Sequence, residues 1–183
     1  MKTLQLIATG TAFLITGACN DGHYVLDPAT PELGVQNHSP DASATAAHQV
    51  ETAGSFAAFV DFSTLTLTPR GQNCLLTVDG QLVFTGTIEG TATGTTSALV
   101  FAPCSDVATT PPGTFPDVFK SELAFEGTVD GEPVRADVLY MGRVQPGGRI
   151  DGRLVFHGDV RGELEAEAIV AVGGEYRGSV VVK

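Results

Sequence analysis

The chain has 183 residues, with 10 Lys plus Arg against 21 Asp plus Glu and a formal net charge of −11. That length suits one sizeable core better than two. The acidic balance argues against nucleic-acid partners, which need Lys and Arg to neutralise phosphates, and against polybasic contact with anionic lipid.

Residues 1–18 combine a basic start at Lys2, an apolar run through Phe13-Leu14-Ile15 and a small-residue end. This is the layout of an export signal and is too short for a membrane span. The final stretch, Thr16-Gly17-Ala18-Cys19, resembles a bacterial lipoprotein signal. That resemblance implies lipidation of Cys19 and a membrane anchor in the cell envelope. Thr16 stands where the family usually has Leu. Ordinary cleavage after Ala18, giving a secreted or periplasmic soluble protein, is therefore the competing expectation.

Residues 19–52 read as a flexible tether. Asp27-Pro-Ala-Thr-Pro31 and Ser39-Pro-Asp-Ala-Ser-Ala-Thr-Ala-Ala47 sustain no period of two or 3.6, so the segment buries too little apolar area to offset its ordering entropy. As a coil of about 33 residues it spans roughly 30 Å. His23, His38 and His48 lie here at spacings that match no metal site.

A folded domain is expected over 53–183. Phe59 to Thr68 reads as a strand ending at the Pro69-Arg70-Gly71 turn. Asn73 to Val78 follows and reaches Asp79-Gly80, a hairpin signal. Then Leu82-Val-Phe84-Thr-Gly86-Thr-Ile88-Glu-Gly90 opens a pattern that recurs at Leu123–Gly131 and at Leu154–Gly162. The shared form is Leu-x-Phe-x-Gly-x-(Ile/Val)-x-Gly. Alternate strand residues point to opposite faces, so Leu, Phe, Gly and Ile/Val share one apolar face in every copy. The glycine beside each Phe suggests a curling sheet whose missing side chain is replaced by a ring. The last glycine of each copy is expected in a tight turn: Glu89-Gly90, Asp130-Gly131 and Arg161-Gly162.

Between the first two copies run a Thr-rich strand, Thr91 to Phe101, and a Pro-rich stretch, Ser105 to Val118. The stretch is expected to be a solvated connection pinned at Cys104. The lesser alternative is a lid, with Phe115 capping a barrel mouth. Cys74 and Cys104 are expected to form a disulfide in an exported protein. No arrangement of an acidic residue with a His sits near either to suggest a catalytic thiol. After the second copy, Val134 to Val144 leads to the Pro146-Gly147-Gly148 turn. Glu163 to Val172 returns from the third copy, Gly173-Gly174 makes the last hairpin, and Glu175 to Val182 closes the chain.

The expected fold is all-β, an antiparallel barrel of eight or nine strands, with a β-sandwich as the alternative. A solenoid ranks third, because the copies start 41 and then 31 residues apart. The repeated Phe-x-Gly-x-Val-x-Gly hairpins and Gly-rich closing strands resemble the allene oxide cyclase-like barrels over about residues 55–183. The resemblance implies a barrel; none of that family's catalytic residues matches a position here.

No catalytic constellation emerges. His157 with Asp159 lies on an outer face, and Glu163, Glu165 and Glu167 form a charged row more fitting for solvent than for a cation. Nucleophile elbows, zinc motifs, phosphate loops and calcium loops are missing from the sequence. No catalytic residue, metal or cofactor is assigned. The favoured expectation is a non-enzymatic envelope module that binds a small apolar ligand or an envelope protein. The alternative is an isomerase or cyclase whose cavity is lined by Phe84, Phe125, Tyr140 and Phe156.

Overall fold

The computed structural model describes residues 47–183. The signal segment, Cys19 and residues 20–46 of the expected tether lie outside the described residues. Eight strands follow in order: β1 (His48–Arg70), β2 (Asn73–Gly86), β3 (Ile88–Val100), β4 (Asp117–Val129), β5 (Glu132–Val144), β6 (Arg149–Gly158), β7 (Val160–Ile169) and β8 (Gly173–Val182). One helical turn, α1 (Cys104–Val107), sits between β3 and β4. Each strand pairs antiparallel with its sequence neighbours, and β8 returns to β1, closing a barrel. Closure leaves no full-length edge for another chain to extend.

The alternation read from the repeats sets the inside of the barrel. Leu82, Leu123 and Leu154, Phe84, Phe125 and Phe156, and Ile88, Val129 and Val160 are all buried. Their neighbours of opposite parity, such as Glu89, Glu126 and His157, face out. A ring does replace a missing side chain in the second copy, where a Cβ on Gly127 would lie 2.7 Å from Phe125 Cζ, whereas in the third copy Gly158 faces the backbone of Arg135 and Ala136 instead.

The turns depart from expectation in several places. Only the second copy turns where predicted, at Asp130 (φ 51°) and Gly131 (φ 81°), the paired positive φ values of a tight hairpin. In the first and third copies the chain turns at Thr87 and Asp159, two or three residues earlier. Those two corners are equivalent. Each donates its N–H to one neighbouring strand (Ala53 O and Arg135 O, both 3.1 Å). Each accepts a backbone N–H from Asp130 or Lys183 in turn. Asp79-Gly80 is not a hairpin either: β2 runs straight through it. Gly80 serves close approach instead, since a Cβ there would lie 2.5 Å from Phe59 O. The last turn falls at 170–172, and Gly173-Gly174 already belongs to β8.

β1 also begins before the expected domain boundary at 53. His48 to Thr52 pair with Val182 to Gly178, and Val50 and Thr52 are buried. The polar look of Gln49 and Glu51 masks an alternation whose inward members are Val50 and Thr52.

Candidate functional site

The barrel interior divides into a filled base and a hollow mouth. At the base, Phe84, Phe125 and Phe156, one from each copy, pack as a triangle. Their ring centroids are 5.8, 5.9 and 6.4 Å apart, in edge-on arrangements. Tyr176 joins them, 5.7 Å from Phe84. These three phenylalanines were expected to line a cavity. Here they fill the core, and of the four proposed lining residues only Tyr140 borders open space.

The cavity of about 390 Å³ lies above that floor. Phe56, Val78, Ala98, Phe119, Leu123 and Ile150 supply much of its wall. The short side chains of Ala98 and Ala168 leave room where the base holds rings. Four polar side chains on β3, β4 and β5 interrupt the apolar wall. Thr96, Ser121 and Tyr140 stand at one level by strand register, and Asp117 stands two inward positions nearer the mouth, beside Val100 and Val144.

Thr96 and Ser121 satisfy each other through a 2.7 Å hydroxyl contact. The other two polar groups have no such partner. Tyr140 Oη and Asp117 Oδ1 are buried and make no hydrogen bond within the protein. Tyr140 is held edge-on by Phe119 and Phe56, with centroids at 4.9 and 5.8 Å. Burial raises its pKa, keeping the phenol neutral. Asp117 is 9% exposed, and burial pushes its carboxyl up to about 6. The only other charged residue in the lining is Asp79, which is exposed and accepts the Thr95 hydroxyl at 2.6 Å. No Lys, Arg or His borders the cavity among the described residues.

Asp117 was not singled out in the sequence, because it follows Pro116 at the end of an irregular stretch. A usable signal was present. Counting back by twos from Phe125 through Leu123, Ser121 and Phe119 places Asp117 on the inner face.

The Pro-rich stretch is pinned at Cys104 and largely exposed, as expected, and its inner side also lies over the mouth. Val107, Ala108 and the segment from Thr110 to Phe115 border the cavity. Phe115 and Val107 pack on a small cluster of Cys74, Val100 and Ala102. The Cys74–Cys104 disulfide is formed, with the Cα atoms 4.9 Å apart, and ties the start of this cover to β2. Backbone hydrogen bonds continue the cover across the rim: Gly147 N–H donates to Gly113 O at 3.0 Å, and Val170 N–H to Gly148 O at 2.9 Å.

The wall is incomplete on the β1 side. Pairing of β1 with β8 stops at Ala57 and Gly173, and the β1–β2 register slips between Asp61 and Thr66. Asp61 Oδ1 accepts the N–H and hydroxyl of Ser63, and Thr64 Oγ1 accepts Asp79 N–H at 2.8 Å, fixing the bulge. Phe59 and Phe62 border the cavity there yet are 54% and 55% exposed. The lining thus reaches the surface at this point.

The remaining candidates are outside the barrel. His157 is exposed opposite Asp137, and the Asp159 carboxylate accepts Arg135 N–H at 3.0 Å. Glu163, Glu165 and Glu167 each face an arginine across a strand pair: Arg153, Arg177, and both Arg149 and Arg177. Such exposed pairs contribute about 0–1 kcal/mol each. Among the described residues no helix is long and apolar enough to cross a membrane. No protein-family model, curated protein or solved structure matches this chain.

Proposed function

We propose that this protein is a non-enzymatic module of the cell envelope that takes a small, largely apolar ligand into the mouth half of its barrel. The observation that carries this reading is the pairing of a cavity with two orphaned polar groups. Buried polar atoms nearly always have partners. Both exceptions among the described residues, Asp117 Oδ1 and Tyr140 Oη, border the same apolar cavity. Small-molecule sites combine apolar walls with a few such groups. The Cys74–Cys104 disulfide is compatible with an extracellular or periplasmic location. The signal-like residues 1–18 and Cys19 support export with a lipid anchor.

Native mass spectrometry of the exported full chain tests the reading. A retained small molecule, lost in the cavity-filling variant Ala98→Phe, is the expected result. An empty wild-type protein that also fails to bind any neutral apolar probe would sink it, and envelope proteins would then be the partners to seek. The mass of the N-terminal peptide separates an acylated Cys19 from a free one.

A proton-transfer isomerase or cyclase is the second reading. It is favoured by the raised carboxyl of Asp117, a ready base near neutral pH, in the same cavity as a neutral phenol able to donate to a developing oxyanion. Recovering the ligand unchanged after prolonged incubation argues for the binding module; a rearranged product argues for the enzyme.

A further inference from the structure

We infer that the ligand carries a protonated amine that sits on the Asp117 carboxylate. This rests on the ligand-binding reading above and narrows its chemistry. Three observations lead to it.

Asp117 is nine-tenths buried and its Oδ1 has no partner in the protein. With a carboxyl near 6, it is mostly ionised at neutral pH. A buried carboxylate without a counter-charge is costly.

Among the described residues none supplies that counter-charge. Val100 of β3 and Val144 of β5 flank Asp117 in the sheet. The mouth segment brings Phe115 and prolines, and the other titratable groups of the lining are the Asp79 carboxylate on β2 and the Tyr140 phenol on β5. The cations nearest by strand register, Lys120 and Arg143, are exposed. Lys120 is paired with Glu122 there.

The wall is also aromatic, with Phe56, Phe119 and Tyr140 around the space. Ring faces attract a cation and offer an anion nothing. A fatty acid or other carboxylate would place a second negative charge near the first, and this cavity disfavours it.

The test uses three probes on one skeleton, added to the oxidised full-length protein: 1-naphthylmethylamine, 1-naphthylmethanol and 1-naphthylacetate. Naphthalene fluorescence reads each Kd. At pH 7.5 the amine is expected to bind at least about ten-fold tighter than the alcohol, the scale of one charge-assisted hydrogen bond. The acetate is expected to bind weakest. In Asp117→Asn the amine falls to the level of the alcohol, while the alcohol keeps its affinity and so reports an intact cavity. Lowering the pH from 7.5 to 5 weakens the amine about ten-fold as Asp117 protonates, without moving the alcohol. This arm needs no variant. Equal binding of amine and alcohol to the wild type would overturn the amine inference and leave the cavity reading standing. Failure of all three probes would overturn both.

Discussion

The hydroxyl of Tyr176, on β8, accepts the backbone N–H of Ile88 at 2.9 Å, joining the last strand to the corner that opens β3. The same oxygen lies 3.2 Å from both Thr85 O and Ile88 O, either of which can accept its proton. One phenol therefore serves the corner where β2 turns into β3, and Gly54 leaves the room, since a side chain there would overlap the ring. Tyr176→Phe is expected to strand a buried N–H and cost about 1–3 kcal/mol. Urea unfolding measures this. A loss below about 0.5 kcal/mol would show that the corner holds without the phenol.

The two halves of the interior should respond oppositely to a change of volume. Phe125→Ala removes one ring of the packed triangle and is expected to cost about 3–5 kcal/mol. Ala98→Phe enters existing space, so its stability should change far less while probe binding is lost. Paired unfolding curves and probe titrations of the two variants check this. Equal destabilisation would mean that the upper half is as full as the base.

Asp117 gives the ligand-free protein a pH signature. Its folded carboxyl is near 6 against an ordinary 3.8, so the folded state holds the proton more tightly than the unfolded chain. The stabilising contribution is complete below pH 4 and is lost as pH rises through 6. At pH 8, Asp117→Asn is expected to be more stable than the wild type by up to about 3 kcal/mol, a gap that closes below pH 4. Unfolding midpoints across this range report it. A constant gap would place the carboxyl in a more polar setting than the cavity provides.

Removing the disulfide acts on both stability and the mouth. The cysteines are 30 residues apart in sequence, and closing such a loop is worth about 3–4 kcal/mol on chain-entropy grounds. The double variant Cys74→Ser, Cys104→Ser is expected to lose roughly that amount and to release bound probe faster, since α1 is no longer tied to β2. Stopped-flow dissociation measures the second effect. An unchanged off-rate would show that the ligand leaves without help from this segment.

The barrel was legible in the sequence because its signal is repeated and local. Three Leu-x-Phe-x-Gly-x-(Ile/Val)-x-Gly copies put nine side chains on one face, and that face is the core. The turns were less legible. Asp79-Gly80 looks like a hairpin, yet its glycine answers a backbone on the neighbouring strand, a tertiary demand that local chemistry does not reveal. The corner residues Thr87 and Asp159 were hidden for the converse reason, since they are held by hydrogen bonds to distant strands. The candidate site was least legible. Aromatic residues attract attention as pocket walls, but Phe84, Phe125 and Phe156 face each other across a closed base. Asp117 borders the space by the same alternation that buries Ser121, Leu123 and Phe125, but its place right after Pro116 at the end of an irregular stretch hid it.

Seven of the eight strand pairings join neighbours in sequence and can form as hairpins or short-range ladders. The eighth, β1 with β8, joins residues as distant as His48 and Val182 and requires the ring to close on itself. Loop-closure entropy makes such a seam late to form and early to open. The upper end of this seam, at Ala57 and Gly173, borders the gap beside Phe59 and Phe62. Unzipping a few rungs there would widen that gap without disturbing the aromatic floor, so the opening in the wall lies at its least local joint.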